Sequence, residues 1–311
     1  MRGVQPRRCR PVAESRWPRW WAAARPPFLL LTPAVVALGG VTAHLSGGHG
    51  SWSLLLGVML TALCAHISVN AFNEAADFAN GLDAQTQRTP FSGGSGVLPA
   101  HPNLLPAVRA LAWLSLIVVL LGGLALVVWR GWPLLVLGLS GVLVLLAYSG
   151  HLVRSPWGSL LAPGWAFGPV MVVGTHLAMG APLNALACVA SLLPFCSVNN
   201  LLLLNQLPDV VADRAVGRRN WPIVHGLRAS LWAYAVLALS MPVVAALAVA
   251  SGLWPPSVWV LLLAWWPLPW VAWRLRALGD APVPSHATLA ANVWVALATP
   301  AALAWGLAIG H

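Results

Sequence analysis

The acidic residues of this chain are few and are concentrated in two short windows. Five of the seven acids form what we call the first and second carboxylate windows: Glu74, Asp77 and Asp83 in the first, Asp209 and Asp213 in the second. An Asn precedes an Asp by four residues in each window, Asn73 before Asp77 and Asn205 before Asp209. Carboxylates at close range need a cation, and oxygen ligands accompanied by side-chain amides favour a hard ion, Mg²⁺ before Ca²⁺. The windows therefore predict a magnesium site.

Helical spacing predicts that the polar side chains of each window share one face of a helix. The two sets are His66, Asn70, Asn73 and Asp77 for the first window, and Asn205, Asp209 and Asp213 for the second. The matching positions indicate either an internal repeat or convergence on one task.

A basic, glycine-rich segment follows the first window. Residues 88–96 read RTPFSGGSG. Glycine lets backbone N–H groups approach an oxyanion closely, and the planar guanidinium of Arg88 suits phosphate. Arg214, Arg218 and Arg219, beside the second window, could bind a diphosphate as well, and Arg214 and Arg218 are the two retained as candidates. The alternative for these arginines is that they orient the chain and contact lipid headgroups.

These residues belong to a chain that composition assigns to the membrane. Its residues are 59% hydrophobic and only 8% charged, which excludes a soluble globular protein, a coiled coil and a disordered chain. About 20 apolar residues cross a bilayer as a helix. We therefore predict an all-α polytopic bundle of nine transmembrane helices, at 28–45, 51–73, 110–129, 132–149, 159–179, 184–205, 228–250, 257–273 and 285–309. The short run at 257–273 has a re-entrant or surface segment as its alternative.

The arginines predict the orientation of this bundle. The chain has 17 basic residues, all arginine, and nine spans place every one except Arg130 on the same side. By the positive-inside rule that side is the cytoplasm, so a multi-pass protein of the inner membrane is expected to keep its N-terminus and both carboxylate windows cytoplasmic. Residues 1–26 form an Arg- and Trp-rich cytoplasmic tail, and residues 27–311 form the bundle domain. Orientation and lipid contact account for the net charge of +10, and no nucleic-acid partner is expected.

The chemical features point to one class of substrate. A carboxylate-bound metal pair and a basic, glycine-rich segment suit a diphosphate, and a bundle open to lipid suits an apolar chain. We therefore expect a lipid with a diphosphate head, such as a polyprenyl diphosphate.

The two windows resemble the paired aspartate-rich motifs of the UbiA-type intramembrane prenyltransferases. Residues 73–83, NEAADFANGLD, are similar to the first motif, and most of all to its form in the menaquinone branch, which prenylates 1,4-dihydroxy-2-naphthoate. Residues 205–218, NQLPDVVADRAVGR, resemble the second motif. Glu74 stands where members often have Asp, and residues 219–223 depart from the usual pattern after the second motif. These departures leave the diphosphate chemistry intact but leave the acceptor open.

The resemblance implies a Mg²⁺-dependent prenyltransferase, which transfers an alkyl group other than methyl from a polyprenyl diphosphate to an aromatic quinone precursor, with a naphthoate-like acceptor favoured. It implies a metal-ligand set: Asp77 and Asp83 on one Mg²⁺, Asp209 and Asp213 on the other, with Asn73 and Asn205 as amide ligands or supports. It also implies a substrate-binding set: Asn73, Asn205, Arg88, Arg214 and Arg218. The four Asp residues and Arg88 form the catalytic group, in which Arg88 neutralises the departing diphosphate. Glu74 could serve as a base.

Two other functions are compatible with parts of this pattern. A membrane terpene cyclase would use the same ionisation of the diphosphate without an external acceptor. A transporter or ion pathway also carries intramembrane acids, but it would place them near the middle of the bilayer on broken helices. Here the acids stand at helix ends on one side, so the enzyme is favoured.

Overall fold

The computed structural model describes residues 18–86, 88–89, 91–278 and 283–311, and the regular secondary structure in these ranges is helical. Most of the predicted N-terminal tail, residues 1–17, lies outside the described residues. Nine long helices form the bundle: α1 Pro26–Leu45, α2 Trp52–Ala79, α3 Pro102–Arg130, α4 Trp132–Tyr148, α5 Pro156–Ala178, α6 Ala185–Gln206, α7 Trp221–Ala250, α8 Pro256–Arg276 and α9 His286–Ile309.

Eight of these helices are long and apolar enough to cross a membrane, as judged by length and composition over the described ranges. The exception is α4, which is apolar but has only 17 residues. The run at 257–273 forms α8, a helix of membrane-spanning length that is interrupted near Trp265 and Leu268. The protein is therefore an all-helical, multi-span membrane bundle.

Each predicted apolar run corresponds to one of these helices, but several helices extend beyond their run. The helix α2 continues to Ala79 rather than ending at residue 73. The range given for α7 includes a short first segment from Trp221 and a kink at Gly226, where φ is 77°, so its long helix starts beyond Gly226, close to the predicted residue 228. Hydropathy detects only the segment that suits hydrocarbon, whereas a helix ends where its backbone groups find a cap. The short segment of α7 before the kink has such a cap in Asn220, whose side-chain oxygen accepts a hydrogen bond from the Ile223 N–H.

The helix α6 lies at the centre of the bundle, packed against α1, α5, α7 and α9. Its closest approach is to α5 at Gly164 and Gly168, a pair of small residues four apart. A Cβ atom at Gly164 would lie 2.4 Å from the Phe195 carbonyl oxygen, and one at Gly168 would lie 2.5 Å from that of Ser191. Small residues at this spacing let two helix backbones come together in a membrane. This contact fixes the position of α6, which carries the second carboxylate window at its end.

Replacing Gly164 with Ala is expected to destabilise the bundle by about 1–3 kcal/mol, because the new methyl group overpacks a backbone contact. The clash is with the carbonyl oxygen of Phe195 and the side chain of Asn199, which itself accepts the Gly164 N–H at 2.6 Å. Thermal unfolding of the purified protein in detergent measures the effect. Gly57→Ala is the matched control, since a Cβ there meets nothing within 4 Å. Equal melting temperatures for the two variants would contradict the close α5–α6 contact.

Candidate active site

A cavity of about 600 Å³ opens inside the bundle among α2, α3, α4, α5 and α6. Most of its wall is apolar, with side chains such as Val127, Leu134 and Val170. Thr61, His66 and Thr175 are polar side chains deeper in the wall, but most of the polar side chains lie where α2 and α6 end. They include all six predicted metal ligands: Asn73, Asp77, Asp83, Asn205, Asp209 and Asp213. The structure therefore brings the two carboxylate windows together at one end of an apolar cavity.

The first window is shaped by the end of α2 and the turn after it. The last turns of α2 carry Asn73 and Asp77, and the Asn73 amide donates to Oδ2 of Asp77 at 2.9 Å. The helix ends at Ala79, and Gly81 takes a left-handed conformation with a φ of 79°. A residue without a Cβ adopts that conformation at little cost. The chain then turns back in the short 3-10 helix Leu82–Ala84, which buries Asp83 against the cavity.

The second window is not one continuous helix, and here the structure differs from the spacing argument. The helix α6 ends at Gln206, and a separate short helix, Val210–Ala215, begins after Asp209. Pro208 lies in this break, where its missing N–H and its ring oppose continuation of α6. Asn205, Asp209 and Asp213 nevertheless all line the cavity.

Arg218 joins the two windows. Its Nη1 atom lies 2.9 Å from Oδ1 of Asp213, and its Nη2 atom forms a close ion pair with Oδ1 of Asp77. The other oxygen of Asp213 accepts the Asn220 side-chain amide at 2.7 Å. The guanidinium thus supplies a positive charge between one carboxylate of each window.

Several oxygens around this ion pair have no donor. Among the described residues, four buried side-chain oxygens of the cavity wall lack a hydrogen-bond partner: Asp83 Oδ2, Asn205 Oδ1, Gln206 Oε1 and Asp209 Oδ1. Burial raises the pKa of Asp83 to about 7, and the nearby Glu74 and Asp77 act in the same direction. Burial likewise raises the pKa of Asp209 to about 7, and the negative charge of Asp213 acts in the same direction. A buried oxygen without a partner is costly, and a hard cation satisfies it. This donor set therefore fits Mg²⁺.

The geometry also limits how such an ion is held. In the part of the chain that the structure describes, no three acidic, His or Cys side chains converge closely enough to form a metal site by themselves. Mg²⁺ commonly binds through one or two carboxylates together with water and substrate phosphates. The site is therefore suited to a cation that arrives with a phosphorylated ligand.

Two of the three predicted arginines do not reach the cavity. Arg88 is exposed, and its Nη2 donates to the backbone oxygen of Asp83 at 3.2 Å. Arg214 is also exposed and lies outside the cavity wall, whereas Arg218 lies in it. Glu74 is fully buried and is likewise not part of the wall. Its carboxylate instead accepts hydrogen bonds from Ser95.

Arg25 lies in the cavity wall, although the sequence placed it in the tail. It connects the 3-10 helix Arg19–Ala24 to the 3-10 segment Pro26–Leu30 that begins α1. With a φ of 52° it is the one non-glycine residue with positive φ in the described ranges. The Asn70 amide donates to the Ala24 carbonyl at 2.9 Å and so holds this turn. The Arg25 guanidinium comes within 3.8 Å of Glu74, and its Nε atom is buried without a partner. The sequence gives only a weak indication of this turn: the two prolines after Arg25 oppose a regular helix there.

Comparison with known proteins agrees with the motifs. A model of the UbiA prenyltransferase family matches residues 30–289. The 1,4-dihydroxy-2-naphthoate octaprenyltransferase of Bacillus subtilis (strain 168) is 26% identical over 219 residues, which cover 70% of this chain and 68% of that relative.

Solved structures share the fold. A UbiA homolog from Aeropyrum pernix K1, solved in its apo form, has a TM-score of 0.63 and 16% identity over 89% of this chain and 97% of its own. A UbiA homolog from Archaeoglobus fulgidus bound to GPP and Mg²⁺ has a TM-score of 0.60 and 13% identity, covering 94% of this chain and all of its own. The chain therefore belongs to the UbiA prenyltransferase family, and the family and the enzyme class predicted from its two carboxylate windows are confirmed.

Proposed function

We propose that this enzyme transfers a polyprenyl group from its diphosphate to an aromatic acceptor within the membrane, with Mg²⁺ as cofactor. The observation that carries the proposal is the meeting of both carboxylate windows at the polar end of an apolar cavity. The structural relative from Archaeoglobus fulgidus, which was solved with GPP and Mg²⁺, supports it. The relative from Bacillus subtilis supports a naphthoate-like acceptor.

The proposed metal ligands are the six residues of the two windows. Asp77 and Asp83 would hold one Mg²⁺ and Asp209 and Asp213 the other, with the amide oxygens of Asn73 and Asn205 as ligands or supports. When bound, Mg²⁺ supplies Lewis-acid stabilisation of the departing diphosphate. The unpartnered oxygens of Asp83, Asn205 and Asp209 are the observation that supports this set.

The chain's own cations would assist at the diphosphate. Arg218 already lies between the windows, and Arg25 projects into the cavity wall beside them. Both guanidinium groups suit phosphate oxygens. We assign Arg88 and Arg214, which lie outside the wall, a weaker part in binding, through the charge at the mouth of the site. The apolar wall below excludes water, which would otherwise capture a cationic prenyl carbon.

The cavity also has room for a long tail. Asp77 and Val58 both belong to its wall and lie on the same helix. At 1.5 Å per residue they are roughly 28 Å apart along α2. This is close to the thickness of the hydrocarbon core, about 30 Å. A diphosphate at the carboxylate windows would therefore extend its prenyl chain across most of the bundle.

Filling the middle of this channel is expected to shorten the prenyl chain that the enzyme accepts. Gly138 on α4 lines the cavity, and a Cβ there meets nothing within 4 Å. Gly138→Phe should lower kcat/KM for octaprenyl diphosphate at least about tenfold while sparing geranyl diphosphate, because only the longer tail reaches this depth. The control is Gly57→Phe, an equally open glycine outside the cavity wall. Equal losses for both substrates would contradict this path for the tail.

The direct test of the function is an assay of product formation. Purified enzyme in lipid vesicles is given Mg²⁺, labelled prenyl diphosphates and a panel of aromatic acceptors, and products are identified by mass spectrometry. A prenylated acceptor supports the proposal. A hydrocarbon or alcohol formed equally well without any acceptor would replace the transferase with a terpene cyclase. Release of diphosphate that does not depend on Mg²⁺ would remove the metal from the proposal.

We further infer that the carboxylate windows face the cytoplasm, in a nine-span arrangement in the inner membrane. The support is the distribution of arginine, since Arg130 alone falls on the opposite side of that arrangement. There its Nε atom donates to the Ala178 carbonyl at the end of α5. With α4 as a span, residues 27–311 form one domain, preceded by the cytoplasmic tail 1–26.

A further inference from the structure

We propose that Glu74 is a positioning residue, which fastens residues 92–96 so that this segment holds the two carboxylate windows at a fixed separation. We call residues 92–96, SGGSG, the glycine loop. The proposal rests on the proposed function, because it concerns how the metal and diphosphate site is assembled.

Both oxygens of Glu74 are engaged by one residue of the glycine loop. The Ser95 N–H donates to Oε2 at 3.0 Å, and the Ser95 hydroxyl donates to Oε1 in a short hydrogen bond. Arg25 adds a positive charge 3.8 Å from Oε2. Glu74 has no exposed surface, and it is outside the wall of the cavity. A carboxylate buried in this way is retained only where its partners compensate for the loss of water.

The glycine loop touches one acid of each window. The Gly93 backbone lies beside the carboxylate of Asp209 in the second window, where its N–H acts to lower the pKa of that group, and both residues line the cavity. Gly94 packs on the first window so closely that a Cβ atom would lie 2.8 Å from Oδ1 of Asp83. Gly93 and Gly94 both line the cavity, with φ values of 82° and 75° that favour glycine. The loop is thus a spacer between Asp83 and Asp209.

The ends of the glycine loop have further contacts: the Ser92 N–H donates to Thr89 Oγ1 at 2.9 Å, and Ser95 Oγ accepts the Val97 N–H at 3.2 Å. Its middle consists of Gly93 and Gly94. Two consecutive glycines have more conformational freedom than other residues when the loop is not held by Glu74. The charge-assisted hydrogen bonds from Ser95 to Glu74 fix the residue directly after them. Glu74 therefore acts on the site through Ser95 and the glycine loop, not as a base that contacts the substrate.

The test compares Glu74→Gln, Ser95→Ala and the double variant with the unmodified enzyme. Each single change is expected to raise the Mg²⁺ concentration for half-maximal activity at least fivefold, with a smaller change in kcat. The double variant should need no more Mg²⁺ for half-maximal activity than the single variant with the higher requirement. Both substitutions disrupt the same contact between Glu74 and Ser95, so their effects should not add. Ser95→Thr keeps a hydroxyl and should retain most of the metal affinity. Gln85→Ala, an exposed side chain outside the cavity wall, is the control.

Amide hydrogen exchange gives a readout that does not need activity. The Ser95 N–H should be protected in the unmodified protein and should exchange at least tenfold faster in Glu74→Gln, with the Gly93 N–H following it. Unchanged exchange and an unchanged Mg²⁺ midpoint in both single variants would overturn the proposal, as would independent, multiplicative effects. If the unmodified enzyme shows no Mg²⁺-dependent prenyl transfer, the proposed function fails, and exchange at Ser95 still decides whether Glu74 fastens the loop.

Discussion

Asp209→Asn is expected to lose prenyl transfer almost completely while leaving the metal-free protein at least as stable as before. Asp209 lines the polar end of the cavity, and its Oδ1 atom is buried with no hydrogen-bond partner. A neutral amide in its place is a poorer ligand for Mg²⁺ and weakens the stabilisation of the departing diphosphate. Metal stabilisation of such charge amounts to several kcal/mol. A loss of about 4 kcal/mol corresponds to a rate about a thousandfold lower.

The same geometry predicts that Asp209→Asn, although it lowers activity, does not lower the stability of the metal-free protein. Asp209 is partly buried in a cluster of carboxylates, and the negative charge of Asp213 acts with burial to raise its pKa. Without a metal ion, that repulsion and the unpartnered oxygen are costs to the folded state that the Asn variant removes. A binding site that carries such strain typically becomes more stable when it is neutralised.

Two measurements on one preparation check this prediction. Product formation from a labelled prenyl diphosphate gives the activity, and thermal unfolding in EDTA gives the stability. Arg214→Gln is the control, since it also changes one charge beside the second window but lies exposed and outside the cavity wall. It should keep most of the activity. Substantial activity of Asp209→Asn, or a clearly lower melting temperature in EDTA, would contradict the assignment of Asp209 as a metal ligand.

The general position of the site could be predicted from the sequence because the evidence for it, the apolar runs and the clustered acids, is visible along the chain. Apolar runs locate the helices, and α2 and α6 end on the same side of the bundle if each of the nine predicted runs crosses the membrane. The acids are rare in the chain and are clustered after those two helices, so the sequence predicts that they lie close together. The ion pairs of Arg218 with Asp77 and Asp213 show that they do.

The finer geometry could not be predicted, because it depends on loops without periodicity. Arg88, Arg214 and Arg218 look equivalent in the sequence, yet only Arg218 of the three lines the cavity. The sequence places Arg25 in the tail, because nothing local in the sequence links it to Glu74, its partner across the fold. The break in the second window after Gln206 had a visible cause in Pro208, but the pattern of Asn and Asp at four-residue intervals outweighed it.

Arg218→Gln is expected to make the stability of the fold depend on Mg²⁺. In the unmodified protein the guanidinium lies between Asp77 and Asp213, and only 14% of the Arg218 side chain is exposed. Gln cannot supply a positive charge, so two buried carboxylates lose their counter-charge. Breaking a buried ion pair from one side typically costs 3–5 kcal/mol, and we expect a loss of about 3 kcal/mol in EDTA.

A divalent cation should restore much of this loss, because it binds the same carboxylates only in the folded state. A ligand at a hundred times its dissociation constant stabilises a protein by about 2.7 kcal/mol. Melting temperature measured against Mg²⁺ concentration should therefore rise more steeply for Arg218→Gln than for the unmodified enzyme, in which Arg218 already provides the charge. Arg214→Gln should follow the unmodified curve. A loss of stability that Mg²⁺ does not reverse would mean that Arg218 acts through packing alone.

Removing a carboxylate as well separates the charge from the shape of the Arg218 side chain. In the double variant Asp77→Asn with Arg218→Gln, one of the two uncompensated anions is gone, so the melting temperature in EDTA should recover toward that of the unmodified protein. The response to Mg²⁺ should fall at the same time, because a ligand is missing. The second substitution and the addition of Mg²⁺ should then each raise the melting temperature for the same reason, since each compensates for the buried negative charge left by Arg218→Gln. If packing of the guanidinium were the main contribution, the second substitution would add to the damage.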